Sequence, residues 1–526
     1  MATATRPTAT RPTTAATELA EPFLLGVLAS GGLDVEYVRA EGNTLYRRGE
    51  DGEEIPVLDY VGGYGSTMLG HNNPQINAYA KELLDGGTPV HAQFSRHPYA
   101  NELAEALNRI VRRERGDEES YYAIFANSGA EAVEAAIKHA ELDRGLRLAA
   151  LREEIAVHVE EVRAQVVAGA ATVPAGVGDS IEELVTEILD RNATQAARPP
   201  LFLVPEGGFH GKLAGSVQLT HNEGYRLPFK ALAAQSRFVP RDRPGALRKI
   251  IDEERAQLLD LVVEGGQVQV VERDFPLFAA FVLEPILGEG GIHELTREFA
   301  AEIQEVCAQS GVPVVVDEIQ SGMGRTGDFL AATALGLRGD YYTLAKSLGG
   351  GIAKTAVMLV RKPLYHGQFE LAHSSTFAKD SFSCLIALKV LELMEADDGE
   401  VYRQAAERGE KLLAMLRSVR ADFPGTVKEV RGRGLMAGLE FHDQSDADAE
   451  PLRQVARSGF FGYFVAGHIL RAHRVRTFPT SSAVNTLRFE PSVHLTDEEI
   501  DRLEAALRDV CAIIRDTDGQ SLAPIA

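Results

Sequence analysis

The sequence predicts an α/β protein with buried parallel strands, followed by a separate α+β domain. Three observations lead there. Short, largely apolar runs, Val312–Val316 and Tyr341–Ala345, are bounded by polar or glycine residues, the pattern of strands buried on both faces. A helical stretch, Thr296–Ser310, leads into the first of them as a crossover. Beyond residue 400 the pattern changes to strands interleaved with helices.

Residues 1–20 repeat ATRPT at 4–8 and 9–13 and carry no acid before Glu18, which reads as a disordered tail. Val57–Ile76 reads as a strand, a glycine-rich turn holding Tyr64, and a helix entered after Asn73-Pro74. Residues 100–140 read as helix, strand (Tyr121–Phe125), turn and an alanine-rich helix to Ala140. Residues 141–200 look inserted: a helical run over Asp143–Gly169, a Pro/Gly break, and an acidic helix over Asp179–Asn192. Their alternating charges suggest a solvated surface hairpin.

Leu201–Val204 is a strand leading to Glu206-Gly207-Gly208-Phe209-His210-Gly211-Lys212. Ala246–Val263 reads as an amphipathic helix, and Phe278–Leu283 as a strand ending at Glu284-Pro285. Gly288-Glu289-Gly290-Gly291 makes a flexible turn. After Lys346 come three glycines, then Ser374-Ser375-Thr376-Phe377 and helices over Ser381–Ala396 and Val401–Ala421. Strands at Val427–Val430, Leu435–Phe441 and Thr486–Phe489, and helices near Pro451–Phe464 and Thr496–Ile514, complete the chain. Thr496 and Glu499 form a capping box.

Composition narrows the function. Lys plus Arg is 54 and Asp plus Glu is 76, a net charge of −22, against general nucleic-acid binding or attraction to anionic lipid. Cys307, Cys384 and Cys511 show no metal-site or disulfide spacing, so no metal is expected and a reducing cytoplasm suits them. No apolar run approaches the ~18–20 residues needed to span a bilayer.

The chemistry sits on strand ends. One strand ends in Asp317 and the next reaches Lys346, and open α/β sheets bind ligands at the carboxyl ends of their strands. Lys346 is suited to a Schiff base with an aldehyde cofactor, with Asp317 holding that cofactor's ring nitrogen protonated. The helix start at Ser128-Gly129-Ala130 offers free N–H groups and a positive dipole end to a phosphate. Phe209, flanked by glycines, can lie on a planar ring, and Gln320 can bond a ring hydroxyl. Pyridoxal 5′-phosphate needs all of these partners. Two other patterns compete. Gly322–Gly327 matches GxGxxG but does not directly follow a strand, and Val314–Glu318 resembles a Walker B strand without a matching P-loop, leaving an NTPase as the alternative from another class.

Taken in order, LDYVGGYGSTMLGHNNPQI, FANSGAEAVEAAIKHA, GGFHGK, EPILGEGG, VVVDEIQSGMGRTG, LAKSLGGG and SST resemble a class III pyridoxal-phosphate aminotransferase, over roughly residues 57–490. The resemblance implies fold type I: a large domain with a mostly parallel seven-stranded sheet, and a small α+β domain. The expected division is 21–78 and 386–526 for the small domain and 79–385 for the large one. It implies a homodimer with shared sites, an amino donor and a carbonyl acceptor. Lys346 and Asp317 would be catalytic. Ser128, Gly129, Ala130, Phe209, His210, Glu284 and Gln320 would hold the cofactor, with Thr376 reaching the neighbouring subunit's phosphate. Tyr64, Lys212, Glu289 and Arg488 would meet substrate, Arg488 holding an α-carboxylate with Glu289 as its switchable partner.

Three departures bear on substrate. Lys212 stands where dicarboxylate users have Arg, and lacks the bidentate fork. Phe377-Ala378-Lys379-Asp380 replaces a common YGGNP, and the 141–200 insertion is unusual. They point to a specialised aldehyde or ketone in secondary metabolism, and length and insertion resemble the aminotransferase of caerulomycin-type bipyridine pathways. An aminomutase or racemase on the same scaffold is the rival within the class.

Overall fold

The computed structural model describes residues 19–49, 51–91, 95–176, 180–516 and 519–522. The expected tail lies outside them except for Leu19 and Ala20. The central sheet has seven strands, in the spatial order Tyr121–Ala126, Ala356–Arg361, Tyr341–Leu344, Val314–Asp317, Phe278–Leu283, Leu201–Pro205 and Ser236–Val239. Only Ala356–Arg361 runs antiparallel to its neighbours. The strands Phe278–Leu283, Val314–Asp317 and Tyr341–Leu344 are buried along their whole length, which explains their unbroken apolar sequence. Asp317 pairs with Thr343 in register, and Lys346 follows two residues after Leu344, so acid and amine leave the same end of the sheet.

Two smaller sheets bring distant sequence to that end. Tyr37–Glu41, Thr44–Arg48 and Glu54–Asp59 form an antiparallel meander, completed by Val475–Arg476 running parallel to Glu54–Asp59. Val427–Arg433, Met436–Phe441, Thr486–Phe489 and Phe478–Pro479 form the other. Just past Thr486–Phe489, the Glu490 N–H donates to the Tyr60 carbonyl at 2.7 Å and ties the two together.

Three local expectations change. Gly129–Val167 is one 39-residue helix, because only Gly145 interrupts good helix formers between Ala140 and Arg147. The helix expected over Ala246–Val263 stops at Glu254, and Gln257–Glu264 is a strand paired with Gln267–Asp274. Its turn, Gly265-Gly266, has φ of 57° and 78°, the positive values a tight hairpin turn requires. The helix expected near Pro451–Phe464 is two, Glu450–Arg457 and Phe461–His473. The two helices expected over Ser381–Ala396 and Val401–Ala421 are both present, because the span Ser381–Asp422 leaves helical geometry at Ala396–Gly399.

The hairpin alters the reading of the insertion. Ile155, Val159 and Val162 of the long helix and Leu184, Val185 and Ile188 of Ile181–Ala196 pack on Leu258, Leu261 and Val268. This is an apolar core of its own, not a solvated addition. Asp260 of the hairpin is fully buried and paired with His158 Nδ1 and Arg273 Nη1, each at 2.8 Å. Leu261→Ala should therefore cost about 2–5 kcal/mol, read as a lower urea midpoint by far-ultraviolet circular dichroism.

Candidate active site

A cavity of about 400 Å3 opens at the carboxyl end of the central sheet, a volume typical of small-molecule sites. Lys346 and Asp317 both line it. Lys346 has φ +49°, a left-handed conformation that costs a side-chain-bearing residue about 1–3 kcal/mol and is concentrated at functional sites. Burial lowers the pKa of its amine below the ordinary lysine range, opposed by the charges of Glu490, Glu289 and Asp317 and reinforced by Arg488.

Asp317 is held on three sides. Its Oδ2 meets His210 Nδ1 at 2.8 Å, while Oδ1 accepts from Ile319 N and Thr343 Oγ1 at 3.1 Å each. His210, fully enclosed, loses solvation as an imidazolium, but the Asp317 carboxylate outweighs this and leaves its pKa above the usual range. His210, expected beside Phe209 among the residues that hold the cofactor, bonds Asp317 and so steadies the acid. Glu284 likewise holds the loop, accepting from Phe209 N at 2.8 Å and Gly288 N at 3.0 Å. Burial raises its pKa to about 7.

The other cofactor-side residues gather around this pair. Ser128 caps the long helix by accepting from Glu131 N, and Gly129 and Ala130 behind it line the cavity with first-turn N–H groups that no helical carbonyl reaches. A methyl at Gly129 would come within 2.8 Å of the Ile319 side chain, so the close approach of helix and sheet needs glycine there. Phe209 and Gln320 stand in the same wall.

The residues expected to meet substrate are arranged differently. Glu289 lines the cavity and forms a two-point pair with buried Arg488, one contact being Arg488 Nη2 to Oε2 at 3.0 Å. Although burial opposes its charge, Arg488 holds Glu289 ionised, with a pKa of about 2. Tyr64 is partly exposed, and the Arg488 guanidinium stands 4.7 Å from its ring centre. Lys212 is exposed, its ammonium 4.1 Å over the Tyr225 ring, outside the cavity wall. Thr376 is exposed and also outside that wall, whereas its neighbour Ser375 accepts from Asn127 Nδ2 at 2.7 Å.

Sequence reasoning missed Glu490. It is fully buried and accepts from Gln320 Nε2 at 2.8 Å. Its only signal was its place two residues past Arg488. Glu318, the acid a nucleotide hydrolase would turn to magnesium, is instead buried and accepts from Ser321 Oγ and Ala332 N at 2.8 Å each.

The residues fit pyridoxal phosphate. The buried Nε2 of His210 has no partner in a cavity wall otherwise well bonded. The acid, the amine, the aromatic ring and the helix start all face one space, and Gly129 and Gly211, where a Cβ would meet Ile319 and Ala130, let the helix start and the Phe209 loop close around it.

A family model described as Aminotransferase class-III matches residues 28–511. The fold is similar to ornithine aminotransferase from Toxoplasma gondii, at 20% identity, 92% of each chain and a TM-score of 0.65. An amine transaminase from an uncultivated Pseudomonas species, in its PLP-bound form, matches at 22% identity over 91% of this chain and 94% of that one, TM-score 0.66. A Bacillus anthracis aminotransferase matches at 20% identity over 91% and 93%, TM-score 0.66.

The Glu289–Arg488 pair gives a direct prediction. Because the folded pKa of Glu289 is depressed to about 2, the pair's stabilisation is complete above the ordinary Glu value and is lost as pH falls through about 2. Glu289→Ala leaves a buried guanidinium without its partner and should cost about 3–5 kcal/mol at neutral pH in urea unfolding. Glu289→Ala with Arg488→Met should recover most of that loss.

Proposed function

The chain belongs to the class III aminotransferases, enzymes that use pyridoxal 5′-phosphate, and from this membership we propose how its residues divide the transfer of an amino group from a donor to a carbonyl acceptor. The cofactor supplies an electron sink that labilises the α-hydrogen of a bound amine. Lys346 supplies the amine that holds the cofactor's aldehyde. When free of the aldehyde, the Lys346 amine would take and return the substrate's α-proton, a role suited to an amine whose basicity burial has lowered. Asp317 keeps the ring nitrogen protonated, steadied by His210. Ser128, Gly129 and Ala130 bind the phosphate, and Phe209 covers a ring face.

The observation that carries this reading is the convergence of Lys346, Asp317 and the start of the Gly129–Val167 helix on one cavity. Arg488 and Glu289 serve the two substrates in turn. With the pair closed, the pocket presents no net charge and suits an aldehyde or ketone. When Glu289 swings aside, Arg488 receives the donor's α-carboxylate. Tyr64, over the guanidinium, walls this position. The acceptor we favour is a specialised carbonyl compound of secondary metabolism. Lys212, drawn out over Tyr225, supports it, since a second carboxylate would find no forked guanidinium there.

The working unit is a homodimer in which Thr376 completes the partner's phosphate site. Its exposed position and that of Phe377, 65% exposed beside it, support this. The three buried, unpaired cysteines support a cytoplasmic setting. No helix among the described residues is long and apolar enough to cross a membrane.

An amino donor added without acceptor should convert the holoenzyme's visible absorbance to that of the aminated cofactor, and an acceptor should restore it. Lys346→Ala should slow this exchange by about 10²–10⁴-fold; an unchanged rate would remove Lys346 from the mechanism. Sedimentation velocity should show a dimer, and Thr376→Val should weaken cofactor retention without dissociating it.

A further inference from the structure

Away from the cavity, two imidazoles and a carboxylate meet at one point. His468 and His473 lie on the helix Phe461–His473, and Asp509 on the helix Asp497–Arg515 packed beside it. Both imidazoles turn Nε2 to the same oxygen, Asp509 Oδ2, at 2.9 Å each. The ring centres are 6.4 Å apart and the rings are inclined by 60°, so they converge from two directions instead of stacking. All three groups are partly buried, and the imidazoles are the only ion-pair partners of Asp509 among the described residues. None of the three lines the cavity, and the proposed amino transfer uses none of them.

The far side of the His468 ring sets where its hydrogen sits. Nδ1 lies 3.3 Å from the carbonyl of Ser521, in the turn Gly519–Leu522, which is held by the fully buried Leu522. A carbonyl only accepts, so Nδ1 carries the hydrogen. In a neutral imidazole this leaves Nε2 with a bare lone pair, here pointed at an anionic oxygen. Two electron-rich atoms at 2.9 Å repel each other unless a cation lies between them. A proton on Nε2 answers that demand for His468 alone. A metal ion answers it for His468, His473 and Asp509 together. A backbone carbonyl on Nδ1, with Nε2 turned to a shared point, is the arrangement that orients a metal-binding histidine.

We propose that His468, His473 and Asp509 form a binding site for a divalent transition-metal ion, with zinc the best match. Two imidazole nitrogens and one carboxylate oxygen are a donor set that zinc accepts. Calcium and magnesium take oxygen ligands and do not suit it. A tetrahedral zinc with ligands at about 2.0–2.1 Å sets them about 3.3 Å apart. The three ligand atoms stand within 4.8 Å of one another, and both N–O separations are 2.9 Å, so small side-chain rotations admit the ion. Any Nε2 that carries a hydrogen releases it to solvent as the ion enters. The Asp509 side chain is 42% exposed, which leaves the fourth position to water. The ion ties Phe461–His473 to Asp497–Arg515 and, through Ser521, holds the Gly519–Leu522 turn against them. It is a clamp remote from the reacting groups, and it does not depend on the assignment of the cofactor site.

The test is a zinc titration of the full-length holoenzyme after treatment with a chelator, read by competition with a chromophoric chelator. Wild type should bind one zinc per chain, and cobalt in its place should give the visible d–d absorption of a four-coordinate nitrogen and oxygen site. His473→Gln and Asp509→Asn should each weaken zinc binding by about 10–100-fold or more. Zinc should raise the melting temperature of wild type and leave that of either variant unmoved, since only a ligand bound to the folded chain stabilises it. Unaltered zinc affinity in both variants would place the ion elsewhere and overturn the proposal. A wild type that takes up no zinc would overturn it too, and would leave the three groups as a proton-bridged ion pair. Should one variant not fold, the other decides alone: weakened binding supports the proposal and unchanged binding ends it.

Discussion

A carboxylate buried at the end of a parallel sheet must be given donors, and the site is built around meeting that demand at Asp317. One oxygen takes its donors from the strand's own continuation and from Thr343 on the neighbouring strand. The other takes His210 from a loop more than a hundred residues upstream. Fixing His210 fixes Phe209, and Glu284 pins the same loop from beneath. The aromatic that faces the cavity is therefore positioned by the requirements of charged groups under it. Loss of one partner would unsettle several, as expected where buried polar groups are satisfied as a network.

Much of the fold and of the cofactor side could be read in the sequence. Asp317 and Lys346 were visible because buried parallel strands leave unbroken apolar runs, and a charge at the end of such a run stands out. The Ser128-Gly129-Ala130 helix start was visible because capping is local chemistry. Glu490 was not, since its meaning comes from Gln320 and Gly65, both far away in the chain. The contact of His210 with Asp317 was hidden for the same reason: sequence places it beside Phe209, and only the fold turns it to Asp317.

The hairpin at residues 257–274 marks a different limit. Its first strand, Gln257–Glu264, adjoins an amphipathic helix, and Leu258, Leu259 and Leu261 continue that helix's apolar spacing well enough to hide the change. The strand is favoured because Leu258, Leu261 and Val268 find partners on the long helix and on Ile181–Ala196. Tertiary packing overrides local preference there. It also explains why the insertion is held firmly although its sequence is rich in charge.

The bond from Glu490 N–H to the Tyr60 carbonyl has a consequence in time. Tyr60 leaves the ribosome some 430 residues before its partner, a delay of about 20–90 s at ~5–20 residues per second. The strand Glu54–Asp59 also lacks Val475–Arg476 for most of that interval, and so presents an open edge. The central sheet can assemble as it emerges, but the part of the cavity near Arg488 cannot. A nascent chain thus holds the Asp317 and Lys346 side of the cavity before it holds the Arg488 side, and the cavity closes only when the last strands arrive.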